Sequence, residues 1–450
     1  MRSGRAAHGA VLALAISTAA PVGAQTLEGR IDAYLEPYLS TGNLSGSVLV
    51  ARGGEILYSK GFGYANRETS VENSPGTGFH LASVSRVITS IATMLLDQRG
   101  LLSTDDPLSA YLPDWPRGDE IRVRHLLTLS AGFPNINELP GYIGWQRDPQ
   151  TPESLVGRFR DLPLEFEPGT RSVHSNSNYN VLALLIERVS GLGFGDFLER
   201  EIFAPLGMTR TAHDGDAGRS ESYWALGYAP SGLTDVTPVP DLDWSVKSGN
   251  GSIVSTTEDL FRLDRALASG SLLGPESLDE MFAEQLPHNG YGWFVRDRFG
   301  SREVYINGSS PGFGAYWGRS IDEDVTAIVL GNFRNTVPDA VGRDLIALVL
   351  DRPAEGPVMR SGRPDAALLA ELAGDYVFGE DFYNPDGTVR VRVRDGQLFN
   401  GGDWLMPTTL GDHTFQHRRY WSILEFRRDA DGRVVELRYD DFVGRRVGAP

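Results

Sequence analysis

Three stretches of this chain carry residue types that could transfer protons or hold negative charge. The first is Phe79-His80-Leu81-Ala82-Ser83-Val84-Ser85-Arg86-Val87-Ile88. It sets a serine after a short apolar run, directly ahead of a segment in which Val84, Val87, Ile88, Ile91, Met94 and Leu95 recur at helical spacing up to Gly100. Ser83 is therefore expected at the N-terminus of a buried helix, where unpaired N–H groups and the positive end of the dipole favour negative charge. Arg86 falls on the same face one turn later, against that dipole. Taken alone, the same residues also describe a plain helix cap with Arg86 reaching out to water.

The second stretch, Glu167-Pro168-Gly169-Thr170-Arg171-Ser172-Val173-His174-Ser175-Asn176, reads as a turn followed by a short extended piece. Alternate residues of extended chain face the same way, so His174 and Asn176 point together into one space. The third, Ile306-Asn307-Gly308-Ser309-Ser310-Pro311-Gly312-Phe313, ends a strand. Its glycine permits close backbone approach, and an exposed N–H there can hold an oxyanion. A hydroxyl, an imidazole and N–H donors together would suit acyl transfer through a serine nucleophile. Each stretch alone also has a plainer reading, a loop histidine being as readily a satisfied surface group.

The elements that must position these residues follow from periodicity. Leu27, Ile31, Leu35 and Leu39 predict a helix closed by Gly42, and Ser47–Ala51 with Glu55–Ser59 around Gly53-Gly54 predict a hairpin. Helices are expected over Ile121–Leu129, Asn178–Val189, Phe194–Phe203 and Thr257–Ala268, the last capped by Thr256. Strands follow at Gly292–Arg296, Glu303–Ile306, Phe313–Arg319 and Val325–Leu330, then a helix over Asp339–Leu350. Strands at both ends with helices between predict an α+β domain. One antiparallel sheet is flanked by helices, with a helical subdomain inserted. Residues 353–364, with three prolines and two glycines, read as a linker. Beyond them, alternating Val389, Val391 and Val393 and repeated Asp-Gly turns predict a small all-β, barrel-like domain over 365–450. Its aromatic residues, Tyr376, Phe399, Trp404, Phe415, Tyr420, Trp421, Phe426 and Tyr439 among them, are expected to fill it.

Composition narrows the partners. Arg2 and Arg5 precede an apolar run from Ala10 to Ala20, and Val22-Gly23-Ala24 fits a small-residue cleavage site, so residues 1–24 read as a signal peptide and 25–352 as the first domain. A periplasmic or secreted protein is expected, with no membrane span. The chain has no cysteine and a formal charge of −17, which becomes −19 without Arg2 and Arg5. That charge argues against nucleic acid and anionic membranes as partners. No metal-ligand spacing or phosphate-binding glycine loop occurs, so no metal or cofactor is expected. Nothing in the sequence bears on oligomeric state.

Order and spacing add a resemblance. Gly46-Ser47-Val48-Leu49-Val50, Ala82-Ser83-Val84-Ser85, Tyr111-Leu112-Pro113, Arg124-His125-Leu126-Leu127-Thr128, Pro168-Gly169-Thr170, Ser175-Asn176-Ser177-Asn178-Tyr179, Pro205-Leu206-Gly207-Met208, Ser255-Thr256-Thr257-Glu258-Asp259-Leu260 and Gly312-Phe313 follow one another as in a known group. The chain resembles the serine β-lactamase and penicillin-binding-protein superfamily, particularly the β-lactamase-related branch with class C lactamases, esterases and D-amino-acid peptidases. The region from Leu372 resembles the lipocalin-like domain that often follows such hydrolases. The resemblance implies a nucleophile at Ser83, an asparagine at Asn176, a glycine at Gly308, and an oxyanion hole from the N–H groups of Ser83 and Ser309. It also implies substrate-binding roles for Asn307, Gly308, Lys247 and Asn250, on a small-molecule or peptide substrate.

Three departures from the family pattern stand out. Arg86 replaces the lysine of Ser-x-x-Lys, His174 stands where tyrosine is expected, and Ile306 where the strand carries lysine or histidine. Arginine, with a pKa above about 12, is no base. The expectation is a rearranged site in which His174 deprotonates Ser83 and Arg86 lends fixed charge. A catalytically deficient binding or scaffolding protein fits the same three changes. So does a third arrangement, in which Lys247, one of only two lysines, supplies the displaced amine; the alternative for Lys247 is a solvated loop residue.

Overall fold

The structure is a computed structural model and describes residues 25–448 apart from 216–220, 234, 241, 336, 361, 381 and 383–386. The signal-peptide reading of 1–24 lies outside the described residues. The chain opens with α1 (Leu27–Ser40), whose Ile31, Leu35 and Tyr38 are buried, followed by β1 (Gly46–Arg52) and β2 (Glu55–Phe62). Gly53 and Gly54 both adopt positive φ to close that hairpin.

After α2 (Ser85–Gln98) come α3 (Ser177–Ser190) and α4 (Thr257–Ala268), the latter capped by the Thr256 hydroxyl accepting from Asp259 N at 3.0 Å. Then β3 (Phe294–Arg298), β4 (Ser301–Ser310), β5 (Phe313–Ser320) and β6 (Val325–Gly331) lead into α5 (Val337–Val349).

The six strands form one sheet in the order β3-β4-β5-β6-β1-β2. Gly46 of β1 stands opposite Gly331 of β6, so the two ends of the domain meet at its centre. Side-chain alternation sorts the two faces. Leu49, Ala51, Ile306, Trp317 and Ile328 pack against the helical insert, while Val48, Val50, Tyr316 and Val329 pack under α1 and α5.

Local differences from expectation have local causes. The helix predicted over 121–129 contracts to Val123–Leu127, because Leu129 takes φ +57 and Ser130 N turns back to His125 O at 2.7 Å. The strand predicted over 303–306 runs on to Ser310, paired with β5 from Glu303 onward. Its polar alternate residues fit because their face meets Asp339 of α5 rather than the apolar insert.

The C-terminal strands, from Gly374–Val377 to Phe442–Val447, close an eight-stranded barrel filled by Tyr376, Phe378, Phe415, Phe426 and Tyr439. Trp404 and Trp421 do not fill it. They turn toward the α1–α5 layer, where Trp421 stacks on Tyr38 at 5.3 Å. Tyr420 is exposed. The linker is docked rather than free: Arg360 N donates to Pro407 O at 2.9 Å, and Gly356 N to Asp344 at 2.9 Å. Arg418 of the barrel is wholly buried against the first domain. It donates to Asn43 Oδ1 at 3.0 Å and to Gly232 O at 2.8 Å. Among the described residues no helix is long and apolar enough to cross a membrane.

Candidate active site

Ser83 lies in a short helical turn, Ala82–Val84, that feeds α2. Ala82 before it takes φ +47, a left-handed conformation that residues other than glycine seldom adopt and that concentrates at functional sites. Strand β4 presses onto this turn. A Cβ added to Gly308 would stand 2.6 Å from Leu81 O and 2.8 Å from Ser83 N, so only glycine lets the strand approach. Ser310 and Phe313 flank a two-residue turn and form the hydrogen-bonded pair. The next pair, Ser309 with Gly314, is then a non-bonded one, and Ser309 N–H points away from β5. On that side β3 pairs only as far as Tyr305, leaving the N–H beside Ser83 unopposed. Alternation puts Gly308 and Ile306 toward Ser83 and turns Asn307 to the other face, where its Nδ2 donates to Asp339 at 3.3 Å. Of the substrate-binding residues expected on this strand, Gly308 faces the serine, together with Ile306, whereas the Asn307 side chain does not and could contribute only its backbone.

Arg86 is buried, with Nε donating to Ser83 O at 3.3 Å and its guanidinium 5.7 Å from the Tyr179 ring. It does not reach water as a simple cap would. Among the described residues no carboxylate pairs with it, and burial pulls its pKa below the ordinary arginine value. It lines a small cavity shared with Leu127, Leu129, Tyr179, Gly290 and Ile306. A cation at position 306 would add a like charge beside Arg86 in that space, a repulsion that isoleucine avoids.

The His174 loop is held by Val173 N donating to Leu129 O at 3.1 Å and Ser172 Oγ to Thr128 O at 2.8 Å. Asn176 leads into α3, its N donating to Asn135 Oδ1 at 3.1 Å, while its own buried Oδ1 has no partner. His174 is exposed and makes no hydrogen bond to Ser83. Although the residue as a whole is open to solvent, the protein packed around its ring first and then the Arg86 charge hold its pKa below the ordinary histidine value, so the ring is neutral near pH 7.

Lys247 is no solvated loop residue. It is buried, and its Nζ donates to the Tyr142 hydroxyl at 3.4 Å. Burial lowers its pKa to about 8 and raises that of Tyr142 to about 12. Gly251 lies between its stem and the Ser83 turn: a Cβ there would stand 3.2 Å from Lys247 Cδ and 3.7 Å from the Ala82 carbonyl carbon. Asn250, in the same loop, has a buried Nδ2 without a partner.

Sequence reasoning missed Tyr142, since no spacing ties it to a lysine 105 residues away. It also passed over His80, whose Nε2 meets Asp214 at 2.8 Å and whose ring stacks on Trp244 at 3.6 Å, bracing the turn that carries Lys247. The site therefore offers a serine hydroxyl, backbone N–H donors, a neutral imidazole and the buried cations Arg86 and Lys247. Among the described residues no group of side chains could hold a metal ion.

A serine at a helix start, a glycine-bearing strand pressed on its amide and an inserted helical subdomain define this class of protein. The Beta-lactamase family profile matches residues 27–351, and the chain belongs to that family. It is 34% identical to penicillin-binding protein PbpX of Bacillus subtilis (strain 168) over 301 residues, 66% of this chain and 73% of that one. Penicillin-binding protein 4* of the same organism is 29% identical over 389 residues, 79% of this chain and 83% of that one. In fold it is similar to the octameric penicillin-binding protein homologue from Pyrococcus abyssi, with a TM-score of 0.67 at 23% identity, covering 92% of this chain and 99% of that one. The D-amino acid amidase from Ochrobactrum anthropi SV3 is similar in fold too, with a TM-score of 0.63 at 22% identity over 72% of this chain and 99% of that one.

Proposed function

We propose that this chain is an exported serine hydrolase that cleaves an ester or an amide through an acyl-enzyme on Ser83, with His174 as the base. The observation that carries the reading is the pair of N–H donors. Gly308 brings β4 onto the Ser83 amide, and the outward N–H of Ser309 stands beside it. Donors aimed at a developing oxyanion supply a large share of catalysis and keep some of it when other groups are lost.

In the proposed reaction Ser83 Oγ attacks the carbonyl carbon while His174 takes the hydroxyl proton. The oxyanion rests on the two N–H groups. Collapse expels an alkoxide or amine that receives the proton from imidazolium, and water then repeats the sequence to release the acid. Membership in the family, with relatives named as penicillin-binding proteins and an amidase among the similar folds, supports a peptide, amide or ester substrate. Efficient β-lactam hydrolysis is the least supported option, because Ile306 supplies no cation. The absence of a hydrogen bond between His174 and Ser83 favours a second reading, a binding protein without chemistry.

A fluorophosphonate probe with mass spectrometry separates the two. Labelling at Ser83 is expected, and hydrolysis of p-nitrophenyl acetate should fall at least about a hundredfold in both Ser83→Ala and His174→Ala. As a base must be neutral and this histidine titrates low, kcat/KM should rise with pH through a limb below the ordinary histidine range and then hold level. Absence of labelling, with equal rates in all three proteins, would leave the binding reading.

A further inference from the structure

We propose that Lys247 and Tyr142 form a receptor for a carboxylate carried by the substrate that Ser83 attacks. The inference rests on the hydrolase reading above and names the substrate's chemical class. Its starting point is an unpaired charge. The chain's other lysine, Lys60, is bound by Glu28 and Asp32, and the buried Arg319 by Asp264. Among the described residues Lys247 has no carboxylate partner, although the chain carries 59 acidic residues against 42 basic ones. Its ammonium has three protons and one hydrogen-bond partner, the Tyr142 hydroxyl. Strong donors are thus left over in a buried place, an arrangement that an incoming anion completes.

The position is close to Ser83. Through Gly251 the lysine stem abuts the peptide that precedes Ser83, and its charge is felt at His174. The turn that presents it, Trp244–Lys247, is fixed at both ends. Asp243 caps Ser245 N at 3.0 Å, and Asn180 Nδ2 holds Ser248 O at 2.8 Å. Asn250, 3% exposed, adds from the same loop an Nδ2 donor that has no acceptor. The alternatives for holding an anion are poor. Ile306 has no charge, and Arg86 is sunk in the cavity beneath the strand. With a pKa of about 8, Lys247 carries the charge an anion needs at neutral pH and loses it above.

The test compares p-nitrophenyl acetate with the p-nitrophenyl monoester of glutaric acid and with 4-acetoxybenzoate, which place a carboxylate on the acyl and leaving sides. In Lys247→Met the ratio of kcat/KM for the better carboxylated ester over that for the acetate should fall at least about tenfold, chiefly through KM. Lys247→Arg should recover part of that ratio, Tyr142→Phe should lose a smaller part, and the wild-type ratio should decline as the pH passes about 8. A ratio unchanged by Lys247→Met overturns the proposal, including the case in which both rates fall together because the lysine is a base. Fluorophosphonate labelling of Ser83 reports on the hydrolase reading separately. If that reading fails, titration calorimetry of the glutarate monoester into wild type and Lys247→Met still decides the receptor, equal heats overturning it.

Discussion

Ser83 keeps its place while the charged groups around it have been redistributed. Arg86 brings a fixed cation where a titrating one is expected, and Ile306 lines the same cavity as that cation. The two replacements therefore meet in one place. The close approach at Gly308 could be read from the residue's type and position. Tyr142 could not be found that way, because its meeting with Lys247 exists only after folding. The burial of Lys247 was equally hidden, since its neighbours Ser245, Ser248 and Asn250 are polar by composition yet buried in the fold. That burial has a measurable cost. The native lysine, at about 8, titrates below an unfolded one at about 10.4. Between those values the unfolded chain binds more protons, so the penalty is complete below the native pKa and wild-type stability rises as pH climbs through the interval. Lys247→Met should therefore be more stable than wild type by about 3 kcal/mol at neutral pH. The gain should shrink across that interval, as urea denaturation at several pH values would register.

Among the elements, β4 departs furthest from expectation. Its second half alternates Ile306, Asn307, Gly308 and Ser309, a pattern too polar and too glycine-rich to read as strand from composition alone. The pairing with β5 and the turn at Pro311-Gly312 impose the register. Gly308→Ala tests what that register is for. The added methyl would meet backbone atoms of Leu81 and Ser83, which cannot rotate away. Ester hydrolysis should fall about a hundredfold or more through a displaced oxyanion donor, with circular dichroism near wild type. Retained activity would dissociate the strand from the chemistry. The helices were easier to read, because Val87, Ile91 and Leu95 on α2 and the Thr256 cap on α4 are local signals. Where a helix was overdrawn, at 121–129, a left-handed leucine ended it, and leucine gives no such warning in sequence.

Considered as one molecule, the chain ties its barrel to the first domain with a buried arginine. The barrel itself was legible from the Asp-Gly turns and alternating valines, whereas this contact was not: Arg418 looks like any surface arginine in a basic stretch. It holds Asn43 and the carbonyl of Gly232 across the boundary, over the ring of Phe333 at 5.1 Å. Arg418→Ala would leave those acceptors buried and unmatched, a loss of about 3 kcal/mol or more. Thermal unfolding should then separate into an early barrel transition and a later one. A single unshifted transition would argue that the peg contributes nothing.

The pairing of Gly46 with Gly331 also governs when this protein can become itself. A central strand made near the beginning of translation pairs at once with β2 but has to wait for its other neighbour until roughly three hundred further residues have been polymerised, and contacts so remote in sequence are slow to form. During that wait the helix that follows Ser83 has no finished floor to lie on. The sheet is thus completed only when most of the polypeptide has been made.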